Sequence, residues 1–280
     1  MELIHSRLRE WAQRKTGDRD ADDRLMSELN ALLTDENAGE ITRLLSGEYL
    51  HGPFGTSALL RWMKTEPVSA ANWVASRPDA TDSQAWAVAR GLLADDIDLQ
   101  KYASQLPDTQ WKQTYLLDAG LALVPSNPNE VVGLALQMDP GSAQTNLLQT
   151  AVTEWMGNDP DGTTNWILRV TDPALRDKLI SAGAKAYATT DPDAAATWAA
   201  SSMEAGATMD NTVSNIVNIW ASSNPAGAAR WVGQLPADEV RISAARALLT
   251  EWVQSDPDAA ARWAQSLPGG DQLLTQLSAN

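Results

Sequence analysis

From about residue 55 onward the chain returns again and again to one arrangement of apolar and polar positions. The phrases DPDAAATWAASSM from 191, NPAGAARWVGQLP from 224 and DPDAAARWAQSLP from 256 are near copies of one another. Aligned on the tryptophan, a first column reads Trp73, Tyr102, Leu134, Trp166, Trp198, Trp231 and Trp263, at spacings of 29, 32, 32, 32, 33 and 32. Eleven residues earlier a second column reads Trp62, Gly91, Leu123, Trp155, Tyr187, Trp220 and Trp252. Self-similarity at a fixed period of this size is the signature of a repeat architecture. The pattern predicts about seven repeats of 32 residues over 55–280.

The prolines divide each repeat in two. Pro67, Pro128, Pro160, Pro192, Pro225 and Pro257 lie six residues before the first column, and Pro78, Pro107, Pro140, Pro173, Pro236 and Pro268 lie five to seven after it. Two such marks per period define two elements, and both read as helices. The first opens with Glu, Asn or Asp before proline, as in Asn127-Pro128 and Asp159-Pro160. A carboxylate or amide at that position caps free amides of the first turn. Proline at the next position lacks only a donor that the first turn leaves unpaired. The residue before proline avoids the α region, which fixes the helix start. Acids such as Asp161, Asp193 and Asp258 in the first turn suit the helix dipole.

Within this first helix Ala260, Trp263 and Leu267, or Ala228, Trp231 and Leu235, form a stripe at helical spacing. The second helix is expected to end at the second column. A small residue often stands four positions before that end: Ala58, Ala87, Ala119, Ala151 or Gly183. The segment ISAARALLTEW over 242–252 is rich in strong helix formers and free of breakers. No segment alternates as a strand would, so the class is all-α. Each helix pair has an apolar stripe it cannot bury alone, so consecutive pairs must stack. The tryptophans are expected to be the spine of that stack, each burying on the order of 200 Å².

Residues 1–54 carry no clear copy and read as an N-terminal helical cap or degenerate repeats, leaving 55–280 as the repeat region. The expected elements are a helix to about Lys15, a polar link TGDRDADDR, and helices near 22–33 and 36–46. The loop GEYLHGPFG, 47–55, reads as a turn that packs the cap onto the first repeat. At the other end LPGGDQLLTQLSAN reads as a short capping helix.

The repeats resemble the tetratricopeptide-like superfamily of helical hairpins. Ala151, Trp155 and Pro160 match that family's second helix, its small residue, later aromatic and terminal proline. The period is 32 where that family has 34, and Trp198-Ala199 or Trp231-Val232 replace its Leu-Gly step. The chain is more similar to bacterial proteins built from tandem DP-x-A-A-x-x-W-A-x-x-L-P units. This resemblance covers about four fifths of the chain and implies a right-handed α-α solenoid serving as a scaffold.

Composition narrows the chemistry. Twelve Trp stand against four Tyr and one Phe, as expected where one large side chain fills one slot repeatedly. The net charge of −15 and pI near 4.4 disfavour nucleic acid, whose binding rests on Lys and Arg, and favour a basic or neutral partner. Absence of cysteine excludes disulfides and thiolate chemistry, and two histidines, His5 and His51, are too few for a multi-histidine metal site. No apolar run approaches a membrane span and no signal peptide opens the chain. The composition suits the cytoplasm and, with a leader or anchor upstream, the periplasm; oligomeric state is not readable.

Asp18, Asp20 and Asp22 have the spacing of a calcium loop, but Asp23 and Leu29 hold the places of its glycine and bidentate glutamate. A polar link and helix start is the better reading. No catalytic, cofactor-binding or metal-binding residue is assigned, because no Ser-His-Asp pairing, HExxH, phosphate loop or dinucleotide fingerprint is present. Trp11, Trp86 and Trp111 fall outside both columns and are the candidates for exposed contacts. Two repeats are irregular: the second has Asp95-Asp96 for Asp-Pro and Gly91 in an aromatic slot, and the fifth runs MEAGATMDN over 203–211. The expectation is a non-catalytic scaffold for a protein or peptide. The alternatives are an α/α hydrolase using two carboxylates or a carbohydrate-binding module.

Overall fold

A computed structural model of the chain describes residues 2–13, 19–45, 48–236, 238–268 and 273–274. All regular structure among these residues is helical. The chain forms two compact units, one of residues 1–123 with 130–144, the other of 124–129 with 145–280.

The first unit holds α1 (Glu2–Gln13), α2 (Arg19–Leu32), α3 (Ala38–Leu44), α4 (Glu48–His51), α5 (Pro53–Thr65), α6 (Pro67–Ala75), α7 (Asp82–Ala94), α8 (Leu99–Ser104), α9 (Gln110–Leu123) and most of α10 (Pro128–Ala135). Its longer helices pack on the next but one, α3 on α5, α5 on α7 and α7 on α9, with α6 beside α5 and α7. The second unit holds most of α11 (Ser142–Asn158), then α12 (Pro160–Ile167), α13 (Pro173–Tyr187), α14 (Pro192–Ser202), α15 (Ala207–Ser223), α16 (Pro225–Gln234), α17 (Glu239–Ser255) and α18 (Pro257–Gln265). The same order recurs there, α13 on α15 and α15 on α17, with the shorter helices alongside.

The first proline column marks helix starts as expected, whereas in the second only Pro173 opens a helix and the others lie outside the helices. α6, α12, α14, α16 and α18 each have proline in the first turn, after a cap residue whose φ lies between −139° and −148°. Asp159, Asn224 and Asp256 accept from the backbone N–H of Gly162, Gly227 and Ala259 at 2.9 Å, and Asp191 from that of Ala194 at 3.0 Å. Glu66, Asp159, Asn224 and Asp256 also close the helix before them. The N–H of Glu66, Asp159 and Asn224 reaches the carbonyl of Trp62, Trp155 and Trp220 at 2.8 Å, and that of Asp256 reaches Trp252 at 2.9 Å. At these four places two helices meet at a single residue. There the second helix runs three residues beyond the aromatic column, as α5 does from Trp62 to Thr65, whereas α9 and α13 end on their column residues Leu123 and Tyr187 as expected.

The core takes in only part of the expected spine, and small and branched residues beside the tryptophans supply the rest. Ala70, Thr163, Ala195, Ala228 and Ala260, three positions before the tryptophan, are 0% exposed, as are Val74, Ile167, Ala199, Val232 and Ala264, one position after it. Trp62, Trp220 and Trp252 are buried, whereas Trp73, Trp155, Trp166, Trp198, Trp231 and Trp263 are half-buried. The physical reason is size: closely packed helices leave room for alanine-to-isoleucine side chains at −3 and +1, and most indoles of the first column fit at the flank of the contact. The two columns meet there. The Trp62–Trp73, Trp155–Trp166 and Trp252–Trp263 ring centroids are 5.7, 6.1 and 6.1 Å apart and tilted.

The N-terminal stretch departs in detail. The helices expected near 22–33 and 36–46 occupy Arg19–Leu32 and Ala38–Leu44. The segment 47–55, expected as a turn, is largely helical in α4 and the start of α5, with Phe54 fully buried. Backbone from Arg19 is already helical; Asp18, the side chains of Asp20, Asp22 and Asp23, and most of the C-terminal segment lie outside the described residues.

Candidate functional site

The three tryptophans outside the columns are placed differently. The side chain of Trp11 lies outside the described residues. Trp111 is half-buried, stacked on Tyr115 with centroids 5.9 Å apart, and its indole N–H donates to the Thr81 carbonyl at 3.3 Å. Its role is to tie α9 to the start of α7. Trp86 is 47% exposed.

Trp86 stands on α7 at the edge of a groove of about 330 Å³. Leu60, Met63 and Lys64 line it from α5, and Trp86, Arg90 and Gly91 from α7, with Asp95 at one end. These residues recur at three- and four-residue intervals, so each helix offers one face. Gly91, the missing member of the aromatic column, explains the floor. A Cβ there would lie 2.5 Å from Met63 Cε, so glycine admits Met63 against the backbone where another repeat carries an indole. Leu60 is 42% exposed, and together with Trp86 it leaves an apolar rim open to water. The Arg90 guanidinium lies over the Trp86 ring, 5.1 Å from its centroid.

A signal for this site existed in the sequence alignment. Five positions before the second column stand Ser57, Asp118, Thr150, Ala182, Asn215 and Ala247, and only in the second repeat is there a large side chain, Trp86. Leu60, Lys64 and Arg90 have no such mark, because their importance depends on which helix faces lie together.

A second groove, of about 500 Å³, lies in the second unit between α12 and α14. Asp161, Asp191 and Asp193 line it with the half-buried rings of Tyr187 and Trp198. Asp191 is engaged in capping α14. Among the described residues no group of three or more His, Asp or Glu is arranged to hold a metal.

Elsewhere the ionisable groups are in structural pairings. His51 Nε2 is 3.6 Å from Asp79, which Arg77 also contacts at 2.8 Å. The Arg77 hydrogen bond holds the Asp79 carboxyl below the usual range. Lys112 is buried and bonds both Asp108, at 2.7 Å, and the Leu106 carbonyl, at 3.3 Å. Partial burial, with Asp82 nearby, pushes the Asp118 carboxyl up. Its neighbour Asp82 accepts from Thr114 Oγ1 at 3.3 Å. No helix among the described residues is long and apolar enough to cross a membrane. Set against known protein families, curated proteins and solved structures, the chain matches no family model, no curated protein and no solved structure.

Proposed function

We propose that the chain is a non-catalytic scaffold for a protein or peptide, its hairpins of about 32 residues stacked as a right-handed α-α solenoid. The observation that carries this reading is the open groove beside Trp86, where apolar side chains face water with no convergent chemistry around them. An exposed apolar surface rimmed by polar groups is what interaction sites have in common. Contacts at one-period separation support the stacking. Thr114 meets Asp82 and Trp111 meets Thr81 in the first unit, and Thr212 meets Ser181 and Asn218 meets Glu251 in the second, at sequence separations of 32, 30, 31 and 33.

The acidic charge, −15 overall, favours a partner that is basic or neutral as a whole and disfavours nucleic acid. A carbohydrate-binding role would use the face of an exposed tryptophan, but Arg90 covers one face of Trp86. The test is selection of a displayed peptide library against the full chain. A saturable peptide ligand is expected, and the absence of any such ligand across low and physiological salt overturns the proposal.

A further inference from the structure

We infer that the α5–α7 groove receives the apolar face of a partner protein's helix, one bulky anchor entering beside Trp86 and a carboxylate one turn away meeting Arg90 and Lys64. This rests on the scaffold reading and names the site and the kind of segment bound.

The geometry selects a helix. The groove is walled by two helices whose backbone groups are already paired within themselves, so an added strand would find no free N–H or C=O edge to bond. A helix satisfies its own backbone and offers only side chains. Gly91 and the packed Met63 make the floor low and apolar, while Leu60 and Trp86 stand at either side, 42% and 47% exposed. A single large side chain at the bottom of such a cleft covers Leu60 and Trp86 against the already packed Met63.

The charge at the rim selects an acid. Lys64 and Arg90 share the lining with a single carboxylate, Asp95. Lys64 reaches Asp35 at 3.1 Å yet keeps its side chain 73% exposed. Arg90 lies over the ring of Trp86 and, among the described residues, pairs with no carboxylate. At physiological salt charges are screened over about 8 Å, so these neighbours, and not the distant acids behind the −15, decide what the rim accepts. Arginine held over an aromatic ring keeps its N–H edge free for a carboxylate.

The experiment uses a phage-displayed library of 16-residue helical peptides, with anchor and flanking positions randomised, selected against the full chain. Enriched peptides are then titrated by fluorescence anisotropy against the native chain and against Trp86→Ser, Leu60→Ser and Arg90→Glu. The expected enrichment is a bulky apolar residue with Asp or Glu three or four positions away. Trp86→Ser and Leu60→Ser should each weaken binding by about tenfold or more, as truncating a central contact does. Arg90→Glu should weaken the acidic peptide and strengthen its Lys-substituted counterpart, a gain that no loss of folding can imitate. Enriched peptides that bind the Trp86→Ser and Leu60→Ser chains as tightly as the native one, or that show no acidic preference, overturn this inference and leave the scaffold standing. If no helical peptide is enriched, this inference also fails, and the unrestricted peptide library decides whether the scaffold reading fails with it.

Discussion

At the scale of single residues the environment of Trp62 shows how little slack the first unit has. The ring is 1% exposed, stacked under the Arg43 guanidinium at 4.2 Å, and its N–H reaches Glu66 at 3.3 Å. It fits because α3 presents Gly39: a Cβ there would lie 2.8 Å from the indole nitrogen. Trp62→Ala should cost about 3–5 kcal/mol in urea unfolding, the range for truncating a large core aromatic. Gly39→Ala should cost about 1–3 kcal/mol in the native chain by overpacking and much less once Trp62 is alanine. Equal costs in both backgrounds would show that the two do not share one space. A second residue-scale prediction concerns alkali. Tyr102 and Tyr115 pack edge to face, 5.5 Å apart, and neither hydroxyl has a hydrogen-bond partner among the described residues. Burial holds both phenols above the ordinary tyrosine value, and for Tyr115 the nearby Tyr102 and Asp98 add to it. The neutral forms are the ones the fold accommodates, so their stabilising effect is complete below the ordinary value of 10.0 and is lost as pH rises toward the higher folded values. Melting temperature should fall above that pH, with tyrosinate absorbance appearing only as the chain unfolds. Tyr115→Phe should move the fall to higher pH and change neutral-pH stability by less than about 1 kcal/mol, since no hydrogen bond is lost. Early, reversible tyrosinate absorbance in the folded chain would contradict this.

At the scale of elements, the helix starts were legible because proline and its preceding cap act locally. Asp159, Asp191, Asn224 and Asp256 do what their chemistry dictates wherever the chain goes next. Asp256→Ala should therefore cost about 1 kcal/mol and Asp256→Asn close to nothing, read as shifts in the unfolding midpoint. The second repeat needed more than local reading. Asp95-Asp96 replaces Asp-Pro, and α7 ends in a different way: Asp96 is left-handed at φ 55°, Ile97 N–H bonds the Leu92 carbonyl at 3.0 Å, and Asp96 N–H that of Leu93 at 3.2 Å. This is a Schellman closure, which favours glycine at the left-handed position. Asp96→Gly should raise stability by about 0.5–1 kcal/mol, and a loss would mean that the aspartate side chain has a contact of its own to give up. Burial was the least legible property. Periodicity placed the tryptophans on one stripe, yet whether that stripe is the centre or the flank of a contact depends on how near the neighbouring helices come. Alanine at the −3 and +1 positions lets them come close, which moved the core onto Ala195, Ala199, Ala260 and Ala264 and left Trp198 and Trp263 at the boundary. Trp86 was singled out for lying off the columns. The groove it lines was beyond reach, because Leu60 and Arg90 become neighbours only when α5 and α7 pair.

At the scale of the molecule, charge is the property that acts on all elements together. Thirty-six acids against twenty-one Lys and Arg give −15 on 280 residues. The ion pairs that oppose this repulsion are mostly at the surface, as with Arg61 and Lys64 on Asp35 at 3.0 and 3.1 Å and Arg77 on Asp79 at 2.8 Å. Exposed pairs of this kind each contribute about 0–1 kcal/mol and are screened by the same salt that screens the repulsion. The two effects oppose each other, and number decides between them: among the described residues acids with no cation partner outnumber the few pairs, and the compact state brings like charges closer than the unfolded chain does. Raising NaCl from about 10 mM to about 300 mM, which shortens the screening length from about 30 Å to below 10 Å, should therefore raise the melting temperature at neutral pH. The gain should shrink as pH falls toward the pI of 4.4, where the net charge that drives it disappears. A melting temperature that falls with salt at neutral pH would mean that the attractive pairs around Asp35 and Asp79 outweigh the repulsion. In that case Asp35→Asn combined with Asp79→Asn would remove most of the salt response, and the stabilising electrostatics would have to be assigned to those clusters instead of to the overall charge.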